Sequence, residues 1–242
     1  MSTLLDANFI TDKLRIDLPL VAVYDAPHNA DFERVIEPLS HRRTCVFAYY
    51  NAWMRGQTLK LTSLNYGCQG SGYWLFGKEN RERKEFVDFL VNDEGLKCSD
   101  EVMNNWLDVT LPYASKHKCL YIGPVKNTMS EYLKSVTFYV NPDQLSALII
   151  GANYFNDGLG ENPVQVPFGS GCMQLLSLLP DNDKPRAIIG STDLAMRKYL
   201  PKDIMAFTVN PKMFDQLCSL DRDSFIDKPF LNDLIEFRKS SK

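Results

Sequence analysis

Three cysteines, Cys45, Cys68 and Cys172, are the side chains in this sequence best suited to chemistry. Two stand among glycines, in Gly67-Cys68-Gln69-Gly70-Ser71-Gly72 and Gly169-Ser170-Gly171-Cys172. Glycine lets the backbone approach a ligand or a neighbouring segment closely. A thiol held in such a turn has three uses: contact with a ligand, coordination of a metal, or plain packing. Three converging thiols would suit a soft metal or an iron–sulfur cluster. The spacing alone gives no metal signature, because the chain has no CxxC, no HExxH and no paired histidine.

The segment Gly67–Gly77 superficially resembles a phosphate cradle. It lacks Gly-Lys-Ser/Thr, so it is no P-loop, and its glycines do not follow the dinucleotide-binding pattern. What remains is a tight turn entering a short helix that carries Tyr73, Trp74 and Phe76. Amides of such a turn, those of Gly70 and Gly72 included, can nest an anion; a purely structural turn is the simpler account. Cys45 falls on an expected helix with Ala48, Tyr49 and Ala52 along one face, a stripe that suits close packing. The alternative is a thiol aimed from the first helical turn, where its anion is favoured. His41-Arg42-Arg43 just ahead would pair with Glu33 or Glu37, or line an anion pocket.

Gly190-Ser191-Thr192-Asp193 should end a strand and open a helix. Ser191 or Thr192 is the expected cap, and Asp193 and Arg197 form an i,i+4 ion pair. Such strand-to-helix junctions are where α/β folds usually bind ligands. Cys98, Cys119 and Cys218 read as structural. His28 and His117 lack an acidic or nucleophilic neighbour, and no GxSxG elbow supports serine hydrolysis.

The elements that must position these groups alternate along the chain. Helices are expected at the start (Phe9, Ile10, Leu14) and over 44–55, 80–92, 100–109, 142–155, 211–220 and 229–238. Strands are expected over 18–24, 118–125, 135–140, 164–167, 186–190 and 204–209. Gly56 should end the second helix, and Ser99 should cap the fourth. Interleaving of this kind predicts an α/β, or intimately mixed α+β, fold with a mixed sheet flanked by helices in a single compact domain, residues 1–242. One internal echo stands out. Phe138-Tyr-Val-Asn141-Pro142 and Phe207-Thr-Val-Asn210-Pro211 each run from a strand into an Asn-capped, Pro-started helix, as capping chemistry used twice or as the trace of a duplication.

The 242 residues carry net charge −3, 45% apolar and 24% charged residues. That is ordinary for a soluble globular chain and supplies no basic field for nucleic acid. An N-terminus broken by polar residues, and the absence of a long apolar run, predict no export signal and no membrane span. Six cysteines then read as reduced thiols in a cytoplasm.

The order Cys45, Ala52, Gly56, Cys68, Gly70, Gly77, then Val140-Asn-Pro-Asp-Gln144, Gly171-Cys172, Asp193 and Arg197 resembles a prokaryotic domain-of-unknown-function family, the uncharacterised ArCR proteins. The resemblance spans roughly residues 18–220 and implies one soluble domain with no established reaction. Members of that family often carry a further cysteine just before the position of Asp193, where this chain has Ser191 and Thr192. A four-thiol metal site would thus lack one ligand here, which favours a thiol-lined pocket.

These readings converge on a cytoplasmic protein that binds a small anionic ligand or a metal in a cleft. Its expected lining is Cys45, Cys68, Gly70, Gly72, Gly171, Cys172, Asp193 and Arg197, with Arg42, Arg43 or Arg197 neutralising the ligand. The sequence names no cofactor and no oligomeric state. A thiol-dependent enzyme using Cys68, and an interaction protein without ligand, are the competing classes.

Overall fold

Every long strand of this chain is buried on both faces, so its side chains alternate between two cores. In β1 (Val21–Asp25), Ala22 and Tyr24 point into one core and Val21 and Val23 into the other. This is the physical basis of the unbroken apolar runs in the sequence. The computed structural model describes residues 7–38, 44–78, 82–179 and 184–240. Among these residues the strands form one mixed sheet of eight.

α1 (Ala7–Leu14) precedes β1, and the short β2 (Val35–Ile36) follows it. A 3-10 turn, Val46–Tyr49, then leads α2 (Tyr50–Met54) into β3 (Thr58–Thr62). Next come α3 (Gln69–Phe76), α4 (Arg83–Asp88) continued by a π turn Phe89–Asp93, α5 (Asp100–Val109) and β4 (Cys119–Pro124). The second half runs through β5 (Leu133–Val140), α6 (Pro142–Asn153), β6 (Val164–Gln165) and a π turn Met173–Ser177. It ends with β7 (Ala187–Gly190), α7 (Leu194–Arg197), β8 (Met205–Val209), α8 (Pro211–Cys218) and α9 (Pro229–Ser240).

The sheet order is β2-β3-β4-β1-β5-β8-β7-β6. Read outward from its centre, the order repeats. Central β1 and β5 pair antiparallel with each other. Each pairs antiparallel with the last strand of its own half, β4 or β8. Those strands pair antiparallel with β3 and β7. The outermost pairs, β2 with β3 and β6 with β7, are parallel. The two halves are thus related by a twofold axis running through the sheet between β1 and β5. The Asn-Pro echo follows a different relation: β5 and β8 are direct neighbours, with Phe138 opposite Phe207.

One face of the sheet packs α1, α6 and α8 through Ile10, Leu148 and Phe214. The other packs the Val46–Tyr49 turn, α2, α3, α5, the Met173–Ser177 turn and α7, through Phe47, Trp53, Trp74, Met103 and Met196. The segments carrying Cys45, Cys68, Cys172 and Asp193 therefore share a face.

Local chemistry explains where the helices begin. Asn141 accepts from the Gln144 amide while the Gln144 side chain returns to the Asn141 amide, a complete capping box. Asn210 and Ser99 cap α8 and α5 in the same way with one bond each. Gly56 and Gly77 close their helices with φ of +75° and +63°. The helix expected to start at Thr44 begins instead as a 3-10 turn, with Cys45 extended just ahead of it. Asp193 itself caps α7, where Ser191 or Thr192 was expected. No helix of the described residues is long and apolar enough to cross a membrane.

Candidate functional site

Five separate segments meet at one cavity of about 480 Å³ on the second face of the sheet. Cys45 and Val46, Cys68 to Gly70, Ser170 to Cys172, and Asp193 with Met196 line it, and the aromatic rings of Tyr73, Trp74 and Phe86 add apolar wall. A second cavity of about 450 Å³ shares Trp74, Ser170 and Asp193 and extends toward Trp106 and Phe168. The size is that of an ordinary small-ligand pocket.

Cys68 caps α3. Its Sγ accepts from the Ser71 amide at 3.5 Å, and the Ser71 hydroxyl donates to the Tyr66 carbonyl. The Gly72 amide bonds the Cys68 carbonyl. The amides of Ser71 and of Gly72, one of the two glycines expected to nest an anion, are therefore already used, and Gly72 is buried in α3 away from the cavity wall. Gly70 lies on the wall, and a Cβ there would stand an ordinary 3.8 Å from the Cys68 sulfur. Gly67, at φ +81°, is required: a Cβ would come within 2.6 Å of the Thr44 carbonyl oxygen. That close approach sets the Cys68 turn against the residue preceding Cys45.

The other half shows the same kind of junction. A Cβ on Gly171 would reach within 2.6 Å of the Phe47 ring. The Gly171 amide donates to Asp193 Oδ2 at 3.1 Å, while Asp193 Oδ1 accepts from the Ala195 amide at 2.8 Å. Cys172 is buried, its Sγ 3.7 Å from the Ser170 hydroxyl.

Gln174, which the sequence reading passed over, joins these two turns. Its Nε2 donates to the Gly169 carbonyl at 3.2 Å and to the Thr192 hydroxyl at 2.6 Å, and its Oε1 accepts from the Ser191 amide at 2.7 Å. The side chain is 2% exposed. A lone amide in the apolar run Met173-Gln174-Leu175-Leu176 was its only sequence signal. Ser191 sits beside it with φ +63°, a strained conformation for a residue with a Cβ.

Burial pushes the Cys45 thiol up to about 11, with the charges of Cys68 and Asp193 adding to the rise. Burial likewise holds Cys172 well above its ordinary range, with Cys68 the next cause. Burial thus favours the neutral thiol at both positions, and each resists ionising beside the neighbouring acidic groups. None of the six cysteines is in a disulfide. Cys119 and Cys218 are buried; Cys98 is exposed, so the expected structural role finds no packing there.

Arg197 is placed elsewhere. Its guanidinium donates to the carbonyls of Ile204, Pro201 and Lys202, tying down the loop before β8, in place of the expected pair with Asp193. Cations at the cavity are Arg83, held by Asp108 and Asn104, and Lys198. His41, Arg42 and Arg43 lie outside the described residues, and their expected partners Glu33 and Glu37 pair with Lys126 and Lys60. His117 stacks edge-on to Tyr132, and the His28 ring lies 3.2 Å from Lys60 Nζ; neither lines the cavity.

A family model described as Uncharacterised ArCR matches residues 10–219. No curated protein and no solved structure matches the chain.

Proposed function

The chain belongs to the uncharacterised ArCR family, and we propose that it is a binding protein whose thiol-lined cleft holds a small ligand or metal through Cys45, Cys68 and Cys172. The observation that carries this is the convergence of three free thiols and Asp193, from four separate segments, on one cavity. A packing role does not account for it. Cys45 and Cys68 are only half-buried, and the turn that presents Cys68 depends on a left-handed glycine.

The lining favours a soft, electron-accepting occupant over a plain anion. Of the two cavity cations Arg83 is committed to Asp108 and Lys198 lies over the Tyr199 ring; Ser71 and Gly72 spend their amides on Cys68, and Arg197 serves the backbone. Thiols and a carboxylate are donors, and donors suit a Lewis acid. A nucleophilic Cys68 would need its thiolate favoured by an adjacent base, a cation or a helix N-terminus, and among the described histidines neither His28 nor His117 lines the cavity.

The test is direct. The protein is purified without oxygen, desalted and unfolded, and released metals and small molecules are measured by mass spectrometry. The wild type should release a ligand or metal that Cys68→Ala lacks, with both chains giving the same circular dichroism. Equal content in the two, or nothing from either, overturns the reading.

A further inference from the structure

The cavity beside the thiols has a different lining. It measures about 450 Å³ and shares Trp74, Leu90, Ser170 and Asp193 with the first, so the two are adjoining lobes. Among the described residues no cysteine lines it. Its wall is largely aromatic and apolar, and distant parts of the chain supply it. Trp74 comes from α3, Met103 and Trp106 from α5, Phe168 from the loop after β6, and Met173 from the π turn beyond. The three rings meet edge-on, with the Trp74 and Trp106 centroids 5.7 Å apart and those of Trp106 and Phe168 5.0 Å apart. This is an arrangement that aromatic pairs prefer, and it holds the ring planes in place. Trp106 and Phe168 are nevertheless only half-buried. Leu194, on the same wall, is 87% exposed. Large apolar side chains left open around a concave space gain free energy when a ligand covers them.

Charge narrows the choice of ligand. Among the described residues no Lys, Arg or His lines this second cavity. Lys97 stands near, its Nζ 4.3 Å from the Phe168 ring centre and 5.7 Å from that of Trp106, but it is not on the wall. An anion placed there would meet the carboxylates of Glu94 and Asp193 and be repelled. The lobe does not call for a cation either. Both Asp193 oxygens already accept amide protons, from Gly171 and Ala195, and Glu94 is engaged within the protein. Aromatic walls without an unmet charge suit a flat neutral ring, held by offset or edge-to-face contact. Resting on the thiol-cleft reading above, we infer that the cleft's ligand is an organic molecule with a flat, uncharged ring. The ring occupies the second cavity among Trp74, Trp106 and Phe168, and the rest of the molecule reaches the thiols.

The probe is N-phenylnaphthylamine, a neutral dye that fluoresces in apolar surroundings, titrated into the full chain. Anilinonaphthalene sulfonate, which has the same rings and one added negative charge, is the parallel arm. The neutral dye should bind saturably, at roughly one per chain. It should bind at least about tenfold tighter than the sulfonate. Ala195→Trp, at an exposed position on the walls of both cavities, should fill the space, and Phe168→Asp should place a charge in it. Each should weaken binding of the neutral dye at least about fivefold, with circular dichroism unchanged. No saturable binding, or binding that neither variant weakens, overturns the ring lobe. Equal affinity for the sulfonate overturns the uncharged class. In the release experiment above, the wild type should yield an aromatic organic molecule, and Phe168→Asp less of it. A metal ion alone overturns this inference and leaves the thiol cleft standing. An aromatic molecule that Cys68→Ala releases in undiminished amount overturns the thiol reading and leaves the ring lobe standing.

Discussion

Gln174 shows most clearly how single residues hold the site. Its amide satisfies groups on two turns that are distant in sequence and adjacent in space, and it does so in a nearly dry setting. Gln174→Ala should therefore destabilise the protein by about 2–4 kcal/mol, since it leaves several buried partners unpaired at once. Urea denaturation checks this, and an unchanged midpoint would remove Gln174 from the account. Asp25 plays a comparable part at the end of β1, on the same face of the sheet. Its buried carboxylate accepts from the Tyr113 and Ser115 hydroxyls and from the amides of Lys116 and His117, fastening the loop before β4 to the end of β1. Asp25→Ala should cost about 3 kcal/mol or more for the same reason, read as a fall in the thermal midpoint.

Among the elements, the paired Asn-Pro helix starts separate local from tertiary effects. The sequence presents Asn141 and Asn210 as twins, and both cap as expected. Tertiary structure then divides them. Asn141 serves only its own helix, in a capping box with Gln144. Asn210 also accepts from the Arg186 amide and donates to the Lys184 carbonyl, so it ties α8 to the segment entering β7. Asn141→Ala should cost about 1 kcal/mol, the usual value of a cap. Asn210→Ala should cost about 2–4 kcal/mol, because it strands two further backbone groups. Equal losses in chemical denaturation would contradict this division. Gly171 makes a similar point for the cysteine turns. With the Phe47 ring in the way of any Cβ, Gly171→Ala should displace the Cys172 turn and impair ligand retention, whereas Gly70→Ala has room.

For the whole molecule, two dry cores imply a marked response to alkali. Burial pushes the Tyr24 hydroxyl up to about 12, partly offset by its bond from the Lys126 amide, and burial also raises Tyr121 and Tyr139. The unfolded chain loses a tyrosine proton near pH 10, while folded Tyr24 keeps its proton until about pH 12. The unfolded state thus binds fewer protons in that window, and stability must fall as pH rises through it. Tyr24 alone accounts for about 2–3 kcal/mol of the loss. Denaturation at pH 9 and pH 11 should show the drop, and Tyr24→Phe should reduce its slope while lowering stability at neutral pH. A flat response would mean that these hydroxyls reach water.

The sequence by itself determined what is decided within a few residues. Six of the eight strands, the caps at Ser99, Asn141 and Asn210, the helix stop at Gly56 and the mixed α/β class follow from periodicity, capping and φ preference, whereas β2 and β3, which no expectation covered, are fixed by their pairing in the sheet. Cys68 and Cys172 were legible as unusual because glycine beside a thiol is itself a local pattern. Only the tertiary structure decided which groups meet. It gathered Cys45, Cys68, Cys172 and Asp193, took Arg197 away to the loop before β8, and set Gln174 between two turns. The reason is physical: hydrogen bonds and burial select the local elements, but the side chains that face one another across a cavity depend on the strand order of the sheet. Here that order is a twofold relation between halves, and neither half holds the whole donor set.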